Sequence, residues 1–175
     1  FYCIYGGLSV DNSFLLKYNS TGGLLLNLTV PDDSYGIDLE QINSLNFKNG
    51  ILYVGASNYD VTPRRGYIIE YYASNLQYIT YHEVQNEWSE GGAWRDNYFW
   101  VVYGGEVGHY PNIISQYDKD WNFVANHPTP SAYGDVEYQG GCWLGNYYYC
   151  NNHDGAPSET VDILYWNGTG FEGKG

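Results

Sequence analysis

Carboxyl groups are the first candidates for chemistry in this sequence, since Asp and Glu together number 20. Hydrolysis of a glycosidic bond needs two of them about 5–10 Å apart with separated pKa values. The chain has no G-x-S-x-G motif, no cysteine beside a base and no phosphate-binding glycine loop. We therefore predict that the protein is not an enzyme, and we assign no catalytic residues. An enzyme that uses paired carboxylates is the alternative.

Histidines are the second candidates, because a zinc or copper site would need several imidazoles to converge with a carboxylate. The four histidines are far apart in the chain and show neither H-x-H nor H-E-x-x-H spacing. We therefore predict four separate loop histidines, with no metal and no cofactor. They are His82, His109, His127 and His153.

Three cysteines bear on the redox environment of the chain. Cys142 and Cys150 flank a tight turn at residues 144–146. A hairpin there would make them direct cross-strand neighbours, with Cβ atoms about 4.5–5.5 Å apart. We predict a disulfide between them and hence an oxidising compartment, with three buried free thiols as the alternative. Cys3 has no partner in the chain, and the internal repeat would place its mate before Phe1.

Three N-x-S/T sequons predict N-linked glycans on a secreted protein. Asn19 and Asn167 occupy corresponding turns of the internal repeat, so we predict that both are glycosylated. Asn27 is the third acceptor, at the end of a predicted strand.

Composition excludes several classes of partner. Lys and Arg number only 7, and the formal net charge is −13, so nucleic acid and anionic membranes are poor partners. No apolar run approaches the roughly 18–20 residues of a membrane span, which predicts no direct membrane insertion. Because the sequence contains no methionine, we expect a processed chain or an internal portion of a longer one.

An internal repeat defines the elements that must position these side chains. The period is roughly 45–50 residues, with short apolar runs, tight turns and no helical signature, which is typical of four-stranded propeller blades. An immunoglobulin-like sandwich is the alternative. The repeated stretches are INSLNFKNGILYVGAS (42–57), SEGGAWRDNYFWVVYG (89–104) and YQGGCWLGNYYYCNNH (138–153).

The repeat predicts a single all-β propeller over residues 1–175. Closing the units into a ring gives at best four blades with one strand missing, so we expect an internal portion of a propeller with five to eight blades. The predicted units are the last strand of a preceding blade at 1–7, complete blades at 13–57, 66–104 and 112–153, and the start of a further blade at 162–175.

The two ends of the predicted strands differ in chemistry. We name the end with the long connections the loop end, and the end with the tight turns the turn end. Most acids and several aromatic residues fall at the loop end, whereas two sequons fall at the turn end. Because loops on rigid scaffolds are common binding sites, the loop end is the predicted contact surface. Solvated acids and rings that only pack the loops are the alternative. The candidate binding residues are Trp88, Tyr103, Tyr110 and Tyr133.

The repeated units EGGAW–NYFW and QGGCW–NYYY resemble the β-propeller superfamily, a likeness that implies a fold but no particular site. The composition, rich in Tyr, Asn and sequons and poor in Lys, is similar to surface glycoproteins of thermoacidophilic archaea and to the attachment proteins of their viruses. That resemblance implies a location at the cell or virion surface.

The resulting functional hypothesis is an extracellular, non-catalytic module for adhesion, surface or filament assembly, or binding of glycans or proteins. Its expected partners are other protein subunits or surface glycans, and a homo-oligomer or filament fits the same hypothesis. The alternative is a propeller-type carbohydrate-active enzyme that uses carboxylates at the central channel.

Overall fold

A computed structural model describes residues 1–5, 12–31, 34–37, 39, 41–58, 63–85, 89–103, 113–130, 137–153 and 160–173. In these ranges the chain is all-β, as predicted, with a single short 3-10 turn at Ser34–Gly36. Among the same residues no helix is long and apolar enough to cross a membrane.

The strands form four sheets in which each strand pairs with its neighbours in sequence. The first sheet contains β1 (Tyr2–Tyr5), β2 (Asn12–Tyr18) and β3 (Leu24–Pro31). The second contains β4 (Gln41–Lys48), β5 (Ile51–Asn58), β6 (Arg65–Tyr72) and β7 (Tyr78–Val84). The third contains β8 (Ser89–Arg95), β9 (Tyr98–Tyr103), β10 (Ile113–Tyr117) and β11 (Phe123–Pro128). The fourth contains β12 (Glu137–Leu144), β13 (Tyr147–His153), β14 (Thr160–Trp166) and β15 (Phe171–Gly173).

The sheets divide the chain differently from the predicted blades at 13–57, 66–104 and 112–153. Each of those ranges joins strands of two sheets, because every four-stranded sheet begins at the strand that was predicted to be third in a blade. A repeat fixes the length of a unit but not its starting point. In the structure β5 pairs with β6 along its whole length, so the predicted boundary falls within a hydrogen-bonded sheet.

Three sheets share an irregularity in strand register, directly before the turn that joins their last two strands. The strand register shifts directly before Tyr18, Tyr71 and Tyr117. The turn that follows contains a residue in the left-handed region in each case, with φ of 85° at Gly22, 59° at Leu76 and 64° at Trp121. These shared features establish which residues correspond between the sheets: Tyr18, Tyr71 and Tyr117 occupy one position.

The chain divides into two compact units, residues 1–89 and 90–175. In the first unit, the core includes side chains of both the first and the second sheet. The Tyr2 hydroxyl donates to the Ala73 carbonyl at 2.9 Å, and Lys17 Nζ donates to the Ala73 and Ser74 carbonyls at 3.0 and 2.8 Å. These contacts tie the first sheet to the β6–β7 turn. The buried core residues include Leu15, Val30, Leu52, Val54, Ile69 and Tyr71.

The core of residues 90–175 is more aromatic. The Trp100 and Trp166 ring centroids are 4.9 Å apart. Arg95 lies over the Trp143 ring at 4.6 Å and donates through Nη2 to Asn146 Oδ1 at 2.7 Å. The third and fourth sheets are thus joined by edge-to-face aromatic contacts and by a guanidinium at the turn end. Buried members include Ala93, Trp100, Val102, Ile114, Tyr148, Cys150 and Leu164.

Candidate functional site

Buried polar side chains gather in the loop half of the strands. Seven of the nine buried polar or charged residues in the described ranges lie there, whereas Ser115 lies at the middle of β10 and Gln116 lies closer to the turn end. An unpaired polar group costs about 2–7 kcal/mol to bury, so this distribution distinguishes the two ends of the sheets chemically. The seven residues are Ser13, Ser57, Asn58, Ser89, Glu90, Asn152 and Asp162.

Asp162 lies in the best-defined polar cluster, on β14 of the fourth sheet. Its side chain is buried, and Asn152 Nδ2 donates to its Oδ2 at 3.1 Å. Burial raises the pKa of Asp162, while the nearby Tyr138 hydroxyl and Asn152 amide oppose that rise. Burial also raises the pKa of Cys150, which lies directly opposite Asp162 in the ladder. A thiol with a raised pKa stays protonated and is a poor nucleophile, so this cluster is suited to hydrogen bonding.

The predicted pairing of Cys142 with Cys150 is wrong. The two-residue turn at 145–146 shifts the register by one, so that Cys142 lies opposite Tyr149 and Cys150 lies opposite Gly141. Since neighbouring residues of a strand point to opposite faces, the two cysteines lie on different faces of the sheet. All three cysteines of the chain are free thiols, and Cys150 is the buried one.

The candidate binding aromatics are placed only in part. Trp88, Tyr110 and Tyr133 lie outside the described residues. Tyr103 is the last residue of β9, at the loop end, and only 6% of its surface is exposed. Tyr103 therefore packs within the protein and offers little area to a partner.

The sequons occupy the turns expected of them. Asn19 Oδ1 accepts from the backbone N–H and hydroxyl of Thr21 at 3.0 and 2.9 Å. Asn167 Oδ1 accepts from the same two groups of Thr169, both at 2.9 Å. The two turns thus share one hydrogen-bonded geometry at the turn end. Asn27 is exposed on β3, within the strand rather than at its end.

A second set of exposed aromatic residues was missed by the sequence reasoning. These side chains flank the tight turns, and each is at least 37% exposed. The signal was present in the sequence, because aromatic residues adjoin the tight turns in several units. The set is Phe47, Tyr72, Tyr98, Phe123 and Tyr147.

Two of the histidines make equivalent pairs. His82 Nε2 lies 3.0 Å from Glu70 Oε1, and His127 Nε2 lies 3.0 Å from Gln116 Oε1. Both lie within strands β7 and β11, which corrects the prediction that they belong to loops. Burial lowers the pKa of His127. The other two histidines are His109 and His153, whose side chains are outside the described part. No group of three or more His, Cys, Asp or Glu among the described residues could hold a metal ion.

Comparison with known proteins gives no family. No protein-family model matches the chain, and no curated protein matches it. Among solved structures, the computationally designed Ika4 protein is 17% identical with a TM-score of 0.48, over 95% of this chain and 86% of that one. The computationally designed Ika8 protein is 13% identical with a TM-score of 0.41, over 99% of this chain and 72% of that one. Neither similarity identifies a ligand or an activity of this chain.

Proposed function

We propose that this chain is an extracellular, non-catalytic β-propeller module that binds a partner through the loop end of its sheets, with the four sheets as blades. The observation behind the proposal is the concentration of buried polar side chains in the loop half of the strands. Buried polar groups at these strand ends can hold in place the first and last residues of the loops that would contact the partner.

The contacts of these polar groups favour a supporting role over a catalytic one. Asn58 Oδ1 accepts a hydrogen bond from the Arg65 backbone N–H, which ties together the strands on either side of residues 59–64. Asn152 and Asp162 likewise join the strands on either side of residues 154–159. A loop held at both ends has less entropy to lose on binding, so rigid loop bases favour recognition.

The proposed partners are other protein subunits or surface glycans, in adhesion or in assembly of a surface layer, homo-oligomer or filament. Tyr and Trp rings beside amide and carboxylate groups suit both kinds of partner. The net charge of −13 disfavours nucleic acid. An extracellular, cell-surface or virion-surface location is supported by the sequons and the composition alone, because the predicted disulfide no longer contributes.

The test compares two matched triple variants. Trp88→Ala, Tyr110→Ala and Tyr133→Ala together should weaken binding at least about tenfold, because central aromatics dominate interfaces. The control combines Tyr72→Ala, Tyr98→Ala and Tyr147→Ala, three exposed tyrosines beside the tight turns. Binding is measured to a surface-glycan array and to the immobilised chain itself. If the control variant loses binding while the first keeps it, the loop end is not the contact surface.

A carbohydrate-active enzyme is the second candidate, and two buried acids favour it. Glu90 is 2% exposed and Asp162 is 6% exposed, both in the loop half of their strands. The isosteric variants Glu90→Gln and Asp162→Asn separate the two functions. An enzyme would hydrolyse members of a chromogenic glycoside panel and lose turnover at least about a hundredfold in either variant. The binding proposal expects no turnover by the unmodified chain.

A further inference from the structure

The edge strand β3 differs in chemistry from the edge strands β7 and β11. Each of the three lies at one end of its sheet and has one hydrogen-bonded neighbour among the described strands. The strand β7 contains His82 and Glu83, and β11 contains His127. The sequence of β3 is LLLNLTVP, without an ionisable side chain. Because charged residues on an edge discourage pairing with another chain, β3 lacks a protection that the other two strands have.

The outer side of β3 presents the backbone groups of Asn27 and Thr29. The Tyr18 N–H donates at 2.8 Å to the carbonyl of the residue that precedes β1, so the backbone groups of Tyr18 face away from β3. Because this direction alternates along a strand, Leu15 faces β3, where its partner is Leu28. Leu28 therefore directs its N–H and C=O at β2, and its two neighbours direct theirs at the outer edge.

Residues 26–30 have the same alternation of chemistry in both chain directions. Apolar Leu26, Leu28 and Val30 alternate with polar Asn27 and Thr29. The two leucines pack against the core and the valine is buried, whereas the two polar side chains are exposed on the opposite face. The register shift of this sheet lies before Leu26, so the five residues form a regular ladder. An antiparallel strand of the same sequence therefore matches this edge.

A two-fold axis at Leu28 brings like chemistry together. Leu28 then lies opposite Leu28 of the second copy, Asn27 lies opposite Thr29, and Leu26 lies opposite Val30. Since Asn27 and Thr29 have the outward backbone groups, each Asn27–Thr29 pair exchanges two backbone hydrogen bonds. Such a contact uses the same patch on both copies and closes after two chains.

We propose that residues 26–30 of β3 form a self-association site, where a second copy of this chain adds as an antiparallel strand with Leu28 on the two-fold axis. The net charge of −13 opposes association of two copies, but the paired strands themselves contain no acid. The site uses neither the loops nor the buried polar cluster. It is therefore independent of the proposed loop-end function.

Asn27 makes the site sensitive to modification, because it is also the third predicted glycan acceptor. Its side chain is exposed, and in the proposed pair it lies across from Thr29 of the second copy with Cα atoms about 5.5 Å apart. A glycan on Asn27 would occupy the space of the incoming strand. We therefore expect the pair to form only when Asn27 is bare.

Sedimentation equilibrium of the chain, produced in a host without N-glycosylation, measures the association. We expect monomers and dimers in equilibrium. Amide hydrogen exchange should slow at Asn27 and Thr29 as the chain concentration rises, and should be slow at Leu28 at every concentration. A monomer at all concentrations up to about 1 mM overturns the proposal. A dimer that leaves exchange at Asn27 and Thr29 unchanged uses another surface, and also overturns it.

A charge-swap series tests the register. Asn27→Lys with Thr29→Lys should weaken association at least about tenfold, because lysines then lie opposite lysines. Asn27→Lys with Thr29→Glu should associate at least about tenfold more tightly than the double-lysine variant, because each lysine faces a glutamate. The control, Ser20→Lys with Ser74→Lys, adds the same charge at exposed turn residues and should pair like the unmodified chain. Equal association of the first two variants contradicts the proposed register.

The glycan provides a further test on the complete chain. Chains glycosylated at Asn27, identified by the mass of the peptide that contains it, should remain monomeric at concentrations where the bare chain pairs. Asn27→Gln from the same glycosylating host should pair again, since any other glycans are common to both samples. Pairing of the Asn27-glycosylated chain with undiminished affinity would overturn the proposal.

Discussion

At the scale of the residue, the packing of β12 on β13 depends on the absence of a side chain at Gly141. A Cβ there would lie 2.7 Å from the Tyr148 ring and 2.8 Å from the Tyr149 carbonyl oxygen. Contacts below 3.0 Å with backbone can be relieved only by moving the strand. Gly170, in the β14–β15 turn, has open space around the same position.

We therefore expect Gly141→Ala to lower the free energy of unfolding by about 1–3 kcal/mol through overpacking. Gly170→Ala should leave it unchanged or raise it by a few tenths of a kcal/mol to about 1 kcal/mol, because alanine restricts the unfolded chain. Urea denaturation of both variants measures the difference. Equal stability of the two would show that the β12–β13 contact is loose.

His127 provides a pH dependence whose sign follows from burial. Its folded pKa lies below the ordinary value of 6.5, so the unfolded chain binds more protons in the window between the two values. The contribution of His127 to the free energy of unfolding is therefore fully present above pH 6.5, and it is lost as the pH falls through that window. The ring also contacts Trp100 and Trp166, with centroids 5.2 and 4.8 Å away.

The variant His127→Phe keeps an aromatic ring between the tryptophans but cannot titrate. We expect the unmodified chain to lose more stability than the variant between about pH 7.5 and about pH 5. Denaturation at several pH values measures both slopes, and the other histidines contribute equally to each. Parallel slopes would mean that His127 titrates alike in the folded and unfolded chain.

At the scale of the element, the β6–β7 turn contains a leucine in a conformation that favours glycine. Leu76 has a φ of 59° and is buried, at the position of Gly22 in the corresponding turn of the first sheet. Burial of the side chain offsets the backbone cost, which is roughly 1–2 kcal/mol for an L-residue.

The positive φ of Leu76 lowers stability whereas the burial of its side chain raises it, so we expect the glycine variant to be more stable than the alanine variant. Leu76→Ala should lose about 2–5 kcal/mol of stability from the core. Leu76→Gly should be more stable than Leu76→Ala by about 1 kcal/mol, because glycine relieves the backbone. Ala73→Gly, outside the left-handed region, is the control and should only destabilise. If Leu76→Gly is the less stable of the two leucine variants, the turn is not strained.

The sequon turns give a prediction about modification. Asn19 and Asn167 hold equivalent hydrogen-bonded turns at the turn end, so both should be glycosylated in protein from its native source. Intact mass should exceed that of the polypeptide and should fall stepwise in Asn19→Gln and Asn167→Gln. The bare polypeptide mass in native material would refute N-glycosylation and remove the main support for an extracellular location.

At the scale of the whole molecule, the repeat predicted strands, tight turns and antiparallel sheets correctly, because each depends on local patterns. Asn49-Gly50, for example, forms the two-residue turn with both φ values positive that such a pair favours. The repeat could not locate the start of a sheet, since the pattern is the same whichever strand is counted first. That choice depends on the pairing of β5 with β6, a contact between repeats.

The candidate site was predictable only in outline. Sequence placed most acids at the loop end, but the burial of Glu90 and Asp162 depends on packing across strands. Whether Cys142 lies opposite Cys150 depends on the length of the turn between them. A turn that differs by one residue moves every side chain of the strand to the opposite face of the sheet. Exposure of Tyr98 and Tyr147 at the turn end likewise follows from tertiary packing that composition does not encode.

The central proposal is that the loop end is the contact surface, and a cryo-electron microscopy structure of the protein purified with its binding partners from its native source tests it most directly. We expect neighbouring chains or ligands to contact the connections that contain Trp88, Tyr110 and Tyr133, while the turns with Asn19 and Asn167 face solvent. Contacts confined to the tight turns and to the edge strands β3, β7, β11 and β15 would contradict the claim.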